Sequence, residues 1–119
     1  MGKFEFQNLK VYMKAKDFHR DCRVLLFSIK LESYVRDQLG RASLSIVLNI
    51  AEGSAKFSKP DRRNYFVIAR GSLFECIAIL DILNDERLIN EVQFQTILNR
   101  ADELSRILYA MIKNLSQKQ

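Results

Sequence analysis

Apolar residues recur at alternating intervals of three and four along almost the whole chain, in four runs separated by three short breaks. A helix turns once every 3.6 residues, so each run lays one continuous greasy stripe along one helix face. The first run is Val11, Ala15, Phe18, Cys22, Leu25 and Ile29; the second is Val35, Leu39, Ala42, Ile46, Asn49 and Gly53. The third is Phe66, Ala69, Leu73, Cys76, Leu80 and Leu83; the fourth is Phe94, Ile97, Ala101, Leu104, Leu108, Met111 and Leu115. The spacing predicts helices over about residues 9–30, 34–55, 60–84 and 91–116, and no stretch alternates as a strand would. At 1.5 Å per residue each is long enough, about 30 Å, to span a small domain.

The breaks carry stop and start signals. Leu31-Glu32-Ser33 offers Ser33 as an N-cap for the second helix. In Lys56-Phe57-Ser58-Lys59-Pro60, Ser58 or Lys59 caps the third helix, and Pro60 sits in the first turn, where its missing N–H does no harm. Asp61 then suits the positive end of the helix. Asn90 with Gln93 three residues later is a capping-box pattern for the fourth helix. Short connections force neighbouring helices antiparallel, so the expected fold is all-α, a single-domain up-down-up-down four-helix bundle over residues 1–119. A composition 48% hydrophobic with only one Pro supports a packed core over a disordered chain.

The four helices are not alike on their backs. The first and fourth present charged residues there, among them Lys10, Lys16, Asp17, Arg20, Asp102, Glu103 and Arg106. The second carries a further apolar row, Leu44, Val47, Leu48 and Ala51, and the third carries Val67, Ile68, Phe74, Ala78 and Ile82. A bundle has one interior, so helices apolar all round need cover on both sides. The middle hairpin is therefore the expected surface of self-association. Gly71, on that outer face, would let another backbone approach closely.

Polar residues inside these helices raise the question of chemistry. Asn49 occupies a stripe position and needs a partner, a backbone carbonyl or Glu52; it is expected to fix the register of the hairpin. Folding the hairpin brings Arg41 near Glu75, and Arg70 falls between core and outer face. Arg41, Glu52, Arg70 and Glu75 could be imagined as acid–base machinery, but ion pairs at helix interfaces use the same residue types. No Walker loop, dinucleotide fingerprint, nucleophile elbow or Glu-x-x-His pair is present, so no catalytic residue, cofactor or metal site is assigned. His19 reads as a structural histidine on the flank of the first stripe. Cys22 and Cys76 read as buried free thiols. With no apolar h-region, no myristoylation signal and no apolar run near the roughly 18 residues a membrane span needs, a cytoplasmic address without membrane contact is expected.

The net charge is +5, and residues 1–30 hold seven basic against three acidic groups, so the excess is local. Lys10, Lys14, Lys16, Arg20 and Arg23 form one cluster, and Lys56, Lys59, Arg62 and Arg63 form another around the second break. Such groups contact phosphates without reading bases, and a solvated helix face is the simpler alternative. Aromatic residues do not alternate with these charges, so stacking on single-stranded bases is not expected.

At these residues the chain resembles the bacterial four-helix-bundle proteins encoded in intervening sequences of 23S ribosomal RNA genes. The likeness rests on Leu9-Lys10-Val11, Gln38 with Arg41-Ala42 and Ser45, and Asn49-Ile50-Ala51-Glu52-Gly53. It continues through Tyr65-Phe66 and Ala69-Arg70-Gly71-Ser72 with Glu75, covering nearly the whole chain. The resemblance implies a homopentamer of bundles forming a barrel around a central channel, and the family's molecular role is not established. More distantly, the chain is similar to the accessory variability determinant of diversity-generating retroelements, a basic pentamer that binds reverse transcriptase and nucleic acid; this chain carries less charge. The expectation is thus a non-enzymatic homo-oligomeric adaptor, with RNA or another nucleic acid as candidate partner through repeated basic clusters. The alternative is a scaffold that binds an unidentified protein and no nucleic acid.

Overall fold

A computed structural model describes residues 2–116. A single turn of 3-10 helix, Glu5–Asn8, leads into four helices: α1 (Lys10–Ser28), α2 (Ser33–Ala55), α3 (Lys59–Asp85) and α4 (Glu91–Ser116). Helix α1 packs on α2 and α4, and α3 packs on the same two, which makes a square bundle of 48 × 29 × 24 Å. The pairings Lys14–Glu103 and Asp21–Arg100 run α1 and α4 in opposite directions, and Arg63 with Ser116 does the same for α3 and α4. None of the described helices is long and apolar enough to cross a membrane.

Local signals explain the starts of α3 and α4. The Ser58 hydroxyl accepts the Asp61 N–H at 3.2 Å, which makes Ser58 the N-cap of α3 and leaves Lys59 and Pro60 in the first turn. At α4 the Asn90 side chain accepts from the Gln93 N–H at 2.7 Å, and Gln93 reaches back to the Asn90 N–H at 3.1 Å, a closed capping box. Ser33 does not cap α2: it is the first helical residue, and Glu32 precedes it without a side-chain bond to the helix. The open C-terminal carbonyls of α1 are met from α2 instead, where the Arg36 guanidinium donates to the oxygens of Leu26 and Ile29. That contact ends α1 at Ser28, earlier than its stripe suggests.

The core holds Val11, Ala15, Phe18, Cys22 and Leu25 of α1, the whole third stripe, and Phe94, Ile97, Ala101, Leu104 and Leu108 of α4. Helix α2 buries Leu39, Ala42, Ile46 and Gly53 of its expected stripe, and its buried face is wider than that stripe. Val47, expected on the outer face, is buried, as are Ser43 and Ile50, while Asn49 moves to the half-buried flank. The reason is geometric: α2 touches both α1 and α3, so it buries an arc wider than one row. The α2–α3 contact is the most extensive in the bundle. It closes over Gly53, where a Cβ would lie 2.8 Å from a ring carbon of Phe66 and 2.9 Å from the Cβ of Tyr65.

Candidate functional site

The outer face of the α2–α3 hairpin is open. Leu44, Leu48, Val67, Ile68, Phe74 and Ile82 are between 41% and 56% exposed, with Ala78 exposed and Ala51 half-buried among them. Such a row is larger than the scattered single apolar residues normal on a protein surface. Gly71 lies within it, and a Cβ added there would meet nothing within 4 Å of its own protomer, so internal packing does not require the glycine. Beside it, the Arg70 guanidinium stacks over the rings of Phe74, 4.6 Å from the centroid, and Tyr109, at 5.6 Å. Its Nε is buried without a hydrogen-bond acceptor, the only such side-chain atom among the described residues.

The polar residues of α2 and α3 do not converge on one pocket. Asn49 donates to the Ser45 carbonyl at 2.8 Å and to its hydroxyl at 3.0 Å, within its own helix. The crossing bond belongs to Ser45, whose hydroxyl meets that of Ser72 at 2.9 Å, so register between the helices passes through the serine pair. Arg41 does not pair with Glu75: Gln38 donates to Glu75, and Arg41 turns toward α1. Glu52 is exposed and makes no ion pair among the described residues. Arg41, Glu52, Arg70 and Glu75 therefore occupy separate places and form no acid–base constellation. No group of three His, Cys, Asp or Glu among the described residues is placed to hold a metal ion.

The two basic clusters fare differently. On α1, Lys14 is matched by Glu103 at 2.6 Å and Arg20 by Asp17 at 3.3 Å, while Lys16 lies 4.9 Å from the centre of the Tyr12 ring. The hydrogen bond from Lys14, with Lys10 further off, holds the Glu103 carboxyl below its ordinary value. Lys10 stays exposed. At the α2–α3 turn no carboxylate answers the charges among the described residues. Lys56 rests over the Tyr65 ring at 5.1 Å, Arg63 donates to the Ser116 hydroxyl, Lys59 is exposed and Arg62 half-buried. The turn thus keeps its four basic side chains out of ion pairs among the described residues, with Glu52 and Asp61 nearby in the same segment.

Arg23 leaves the α1 cluster altogether. It lines a cleft of about 600 Å³ between α1 and α2 with His19, Phe27, Arg36, Gly40 and Arg41. His19 Nδ1 lies 2.7 Å from the buried Ser43 hydroxyl, and that hydroxyl donates in turn to the Gly40 carbonyl at 3.2 Å. Burial, and secondarily the neighbouring Arg23, push the His19 pKa down from 6.5. The sequence places Arg23 in the candidate phosphate-binding cluster of α1, with a solvated face as the simpler alternative, and singles out neither Phe27 nor Gly40. The signal was there: His19, Arg23 and Phe27 are spaced four apart and share one side of α1.

Cys22 and Cys76 meet across the core, both buried and both free. The hydrogen bond between them, with burial, pushes the Cys22 thiol well above its ordinary range, which leaves it a poor nucleophile at neutral pH.

Residues 7–110 match the 23S rRNA-intervening sequence protein family. No curated protein matches the chain. A crystal structure of a protein with unknown function, from the S23 ribosomal protein family of Bacteroides thetaiotaomicron VPI-5482, superposes with a TM-score of 0.80 at 27% sequence identity. The alignment covers 87% of this chain and 98% of that one, so the likeness is to the entire bundle and not to a hairpin within it. With a family match running from before α1 into the last turns of α4, on the bundle described above, the chain belongs to the 23S rRNA-intervening sequence protein family.

Proposed function

We propose that this protein is a non-enzymatic adaptor that assembles through the outer face of its α2–α3 hairpin and binds RNA or another polyanion through the basic turn at one end. The observation that carries the reading is the open face itself. Half-exposed Leu48, Ile68, Phe74 and Ile82 surround a glycine with empty space above it and a buried arginine donor lacking an acceptor. Burying apolar area at about 25 cal/mol per Å² favours covering this face. A heterologous contact, in which one edge of the face meets a different edge of the next copy, closes into a ring, and the homopentameric barrel expected from the family resemblance is such a ring.

The topology supports the polyanion reading. The α2–α3 turn lies at the same end of the bundle as the start of α1 and the end of α4, so cyclic symmetry would repeat Lys56, Lys59, Arg62 and Arg63 around one rim. Each phosphate contact releases counterions, and a multivalent rim therefore loses affinity steeply with salt. The test combines sedimentation with RNA titration at several salt concentrations. The expected outcome is an assembled particle with salt-dependent RNA affinity, which Lys56→Glu/Lys59→Glu abolishes without changing its mass. A 13.9 kDa particle at micromolar concentration rejects the assembly, and RNA affinity indifferent to both salt and the double substitution rejects the rim.

A further inference from the structure

We infer that the cleft between α1 and α2 is a binding site for a nucleotide unit, with the phosphate between Arg23 and Arg41 and the base against the ring of Phe27. The inference rests on the polyanion reading and adds to it a defined pocket away from the basic turn.

Charge is the first support. Arg23, Arg36 and Arg41 bring three guanidinium groups to the cleft against one carboxylate, Asp37. Arg36 spends its donors on the end of α1, but Arg23 and Arg41 have no ion pair among the described residues, unlike Arg20, Arg100 and Arg106. Two planar, unengaged guanidinium groups on facing helices match the oxygens of a phosphate.

Shape is the second. Gly40 stands in the middle of α2, where glycine weakens a helix by about 1 kcal/mol relative to alanine. A Cβ at this position would meet nothing within 4 Å, so no neighbouring side chain accounts for the glycine. Its effect is to leave the cleft open, at a volume within the roughly 300–1,000 Å³ of small-molecule sites.

The third is the aromatic wall. Phe27 is 80% exposed on the last turn of α1, one helical turn from Arg23. An uncovered ring beside an arginine is the arrangement on which unpaired bases stack. An inorganic anion would leave Phe27 unused, and a purely apolar ligand would leave the arginines unanswered. A phosphate joined to a flat ring uses both.

The test titrates adenosine 5′-monophosphate, adenosine and inorganic phosphate separately into the full chain, followed by calorimetry and by the chemical shifts of the Phe27 ring. Adenosine monophosphate is expected to saturate the cleft more tightly than either half. Arg41→Gln should weaken it and phosphate by about tenfold or more, from loss of a charge-assisted hydrogen bond. Phe27→Ser should weaken the nucleotide and leave phosphate unchanged, and Gly40→Leu should exclude the nucleotide without lowering the melting temperature. Absence of saturable shifts at Phe27, or nucleotide affinity indifferent to Arg41→Gln and Gly40→Leu, overturns the assignment.

A parallel titration with short single-stranded RNA separates this site from the rim. Salt-dependent RNA binding with no nucleotide at the cleft rejects the cleft and keeps the rim. Nucleotide at the cleft with no salt-dependent RNA affinity supports the cleft, identifies a free nucleotide as its ligand and rejects the rim. A fall in particle mass with Phe27→Ser and no change in nucleotide affinity assigns the cleft to a second copy, and overturns the inference.

Discussion

Gly53 and Gly71 lie in neighbouring helices and answer opposite demands. At Gly53 the missing Cβ is occupied space, because Phe66 and Tyr65 press into it from α3. Gly53→Ala gains helix propensity of about 1 kcal/mol but must displace the root of the Tyr65 side chain, which cannot swing aside as a flexible tip would. The expected net effect is a loss of about 1–2 kcal/mol in chemical denaturation, within the range of overpacked cores. At Gly71 the same substitution meets no atom of its own protomer, so the dissociated chain should gain up to about 1 kcal/mol. If Gly71→Ala instead destabilises the lone protomer, the open space above it has another cause.

His19 supplies a pH-dependent prediction at the same scale. Its folded pKa is held below 6.5 by burial and by Arg23, so the unfolded chain binds the proton more readily than the folded one. Stability is then full above pH 6.5, and falls as pH drops from that value through the folded pKa. Denaturant midpoints measured between pH 7.5 and about 5.5 should decline in the wild type and stay flatter in His19→Gln. Equal slopes in the two proteins would remove His19 as the cause. Arg36, Asp37 and Arg41 line the same cleft.

Among the elements, α3 ends in an unusual way. Arg87 has a φ of 58°, and the N–H of Leu88 bonds the Leu83 carbonyl at 3.0 Å while that of Arg87 bonds Asn84 at 3.0 Å. This is a Schellman termination with a side-chain-bearing residue at the left-handed position glycine normally fills. The left-handed conformation costs an L-residue about 1–2 kcal/mol, partly offset in a substitution by the extra chain entropy of glycine. Arg87→Gly should therefore stabilise the protein by about 0.5–1 kcal/mol in equilibrium denaturation. No gain would mean that the arginine side chain compensates for the strain.

This turn also shows why some elements were legible and others not. The Asn90–Gln93 box and the Ser58 cap act over three residues, so spacing alone reveals them. The end of α1 depends on Arg36, eight residues beyond the helix's last residue and on another helix, and no local pattern announces it. The width of the buried face of α2 escapes local pattern for a related reason. Asn49 and Val47 are two positions apart, and which of them faces inward depends on where α1 and α3 sit, not on α2's own periodicity.

On the scale of the whole molecule, the antiparallel path sorts charge toward opposite ends. Lys10, Lys56, Lys59, Arg62, Arg63 and Lys113 outweigh Glu52 and Asp61 at the end holding the α2–α3 turn, while Glu32, Asp81, Asp85, Glu86 and Glu91 outweigh Lys30, Arg36 and Arg87 at the other. A ring of parallel copies would carry a positive rim and a negative rim, and its field would exceed that of one chain with a net charge of +5. The assembly prediction belongs here: Phe74→Asp places a charge in the middle of the outer face, where Phe74 is 49% exposed, and should yield particles of lower mass in sedimentation without loss of helicity. Retention of the wild-type mass would mean that this face is not the contact.

Periodicity settled the four helices and most of the side chains they bury, because a 3.6-residue repeat is a property of each helix by itself. The sequence motifs equally singled out Gly53, Arg70 and Gly71 as residues under constraint, without saying what constrains them. Packing decided the rest. It turned Val47 inward, gave Glu75 to Gln38, neutralised Lys14 with Glu103, and set Arg23, Phe27, Gly40 and Arg41 around one cleft. Those outcomes depend on distances between helices far apart along the chain, and no spacing within a single helix encodes them.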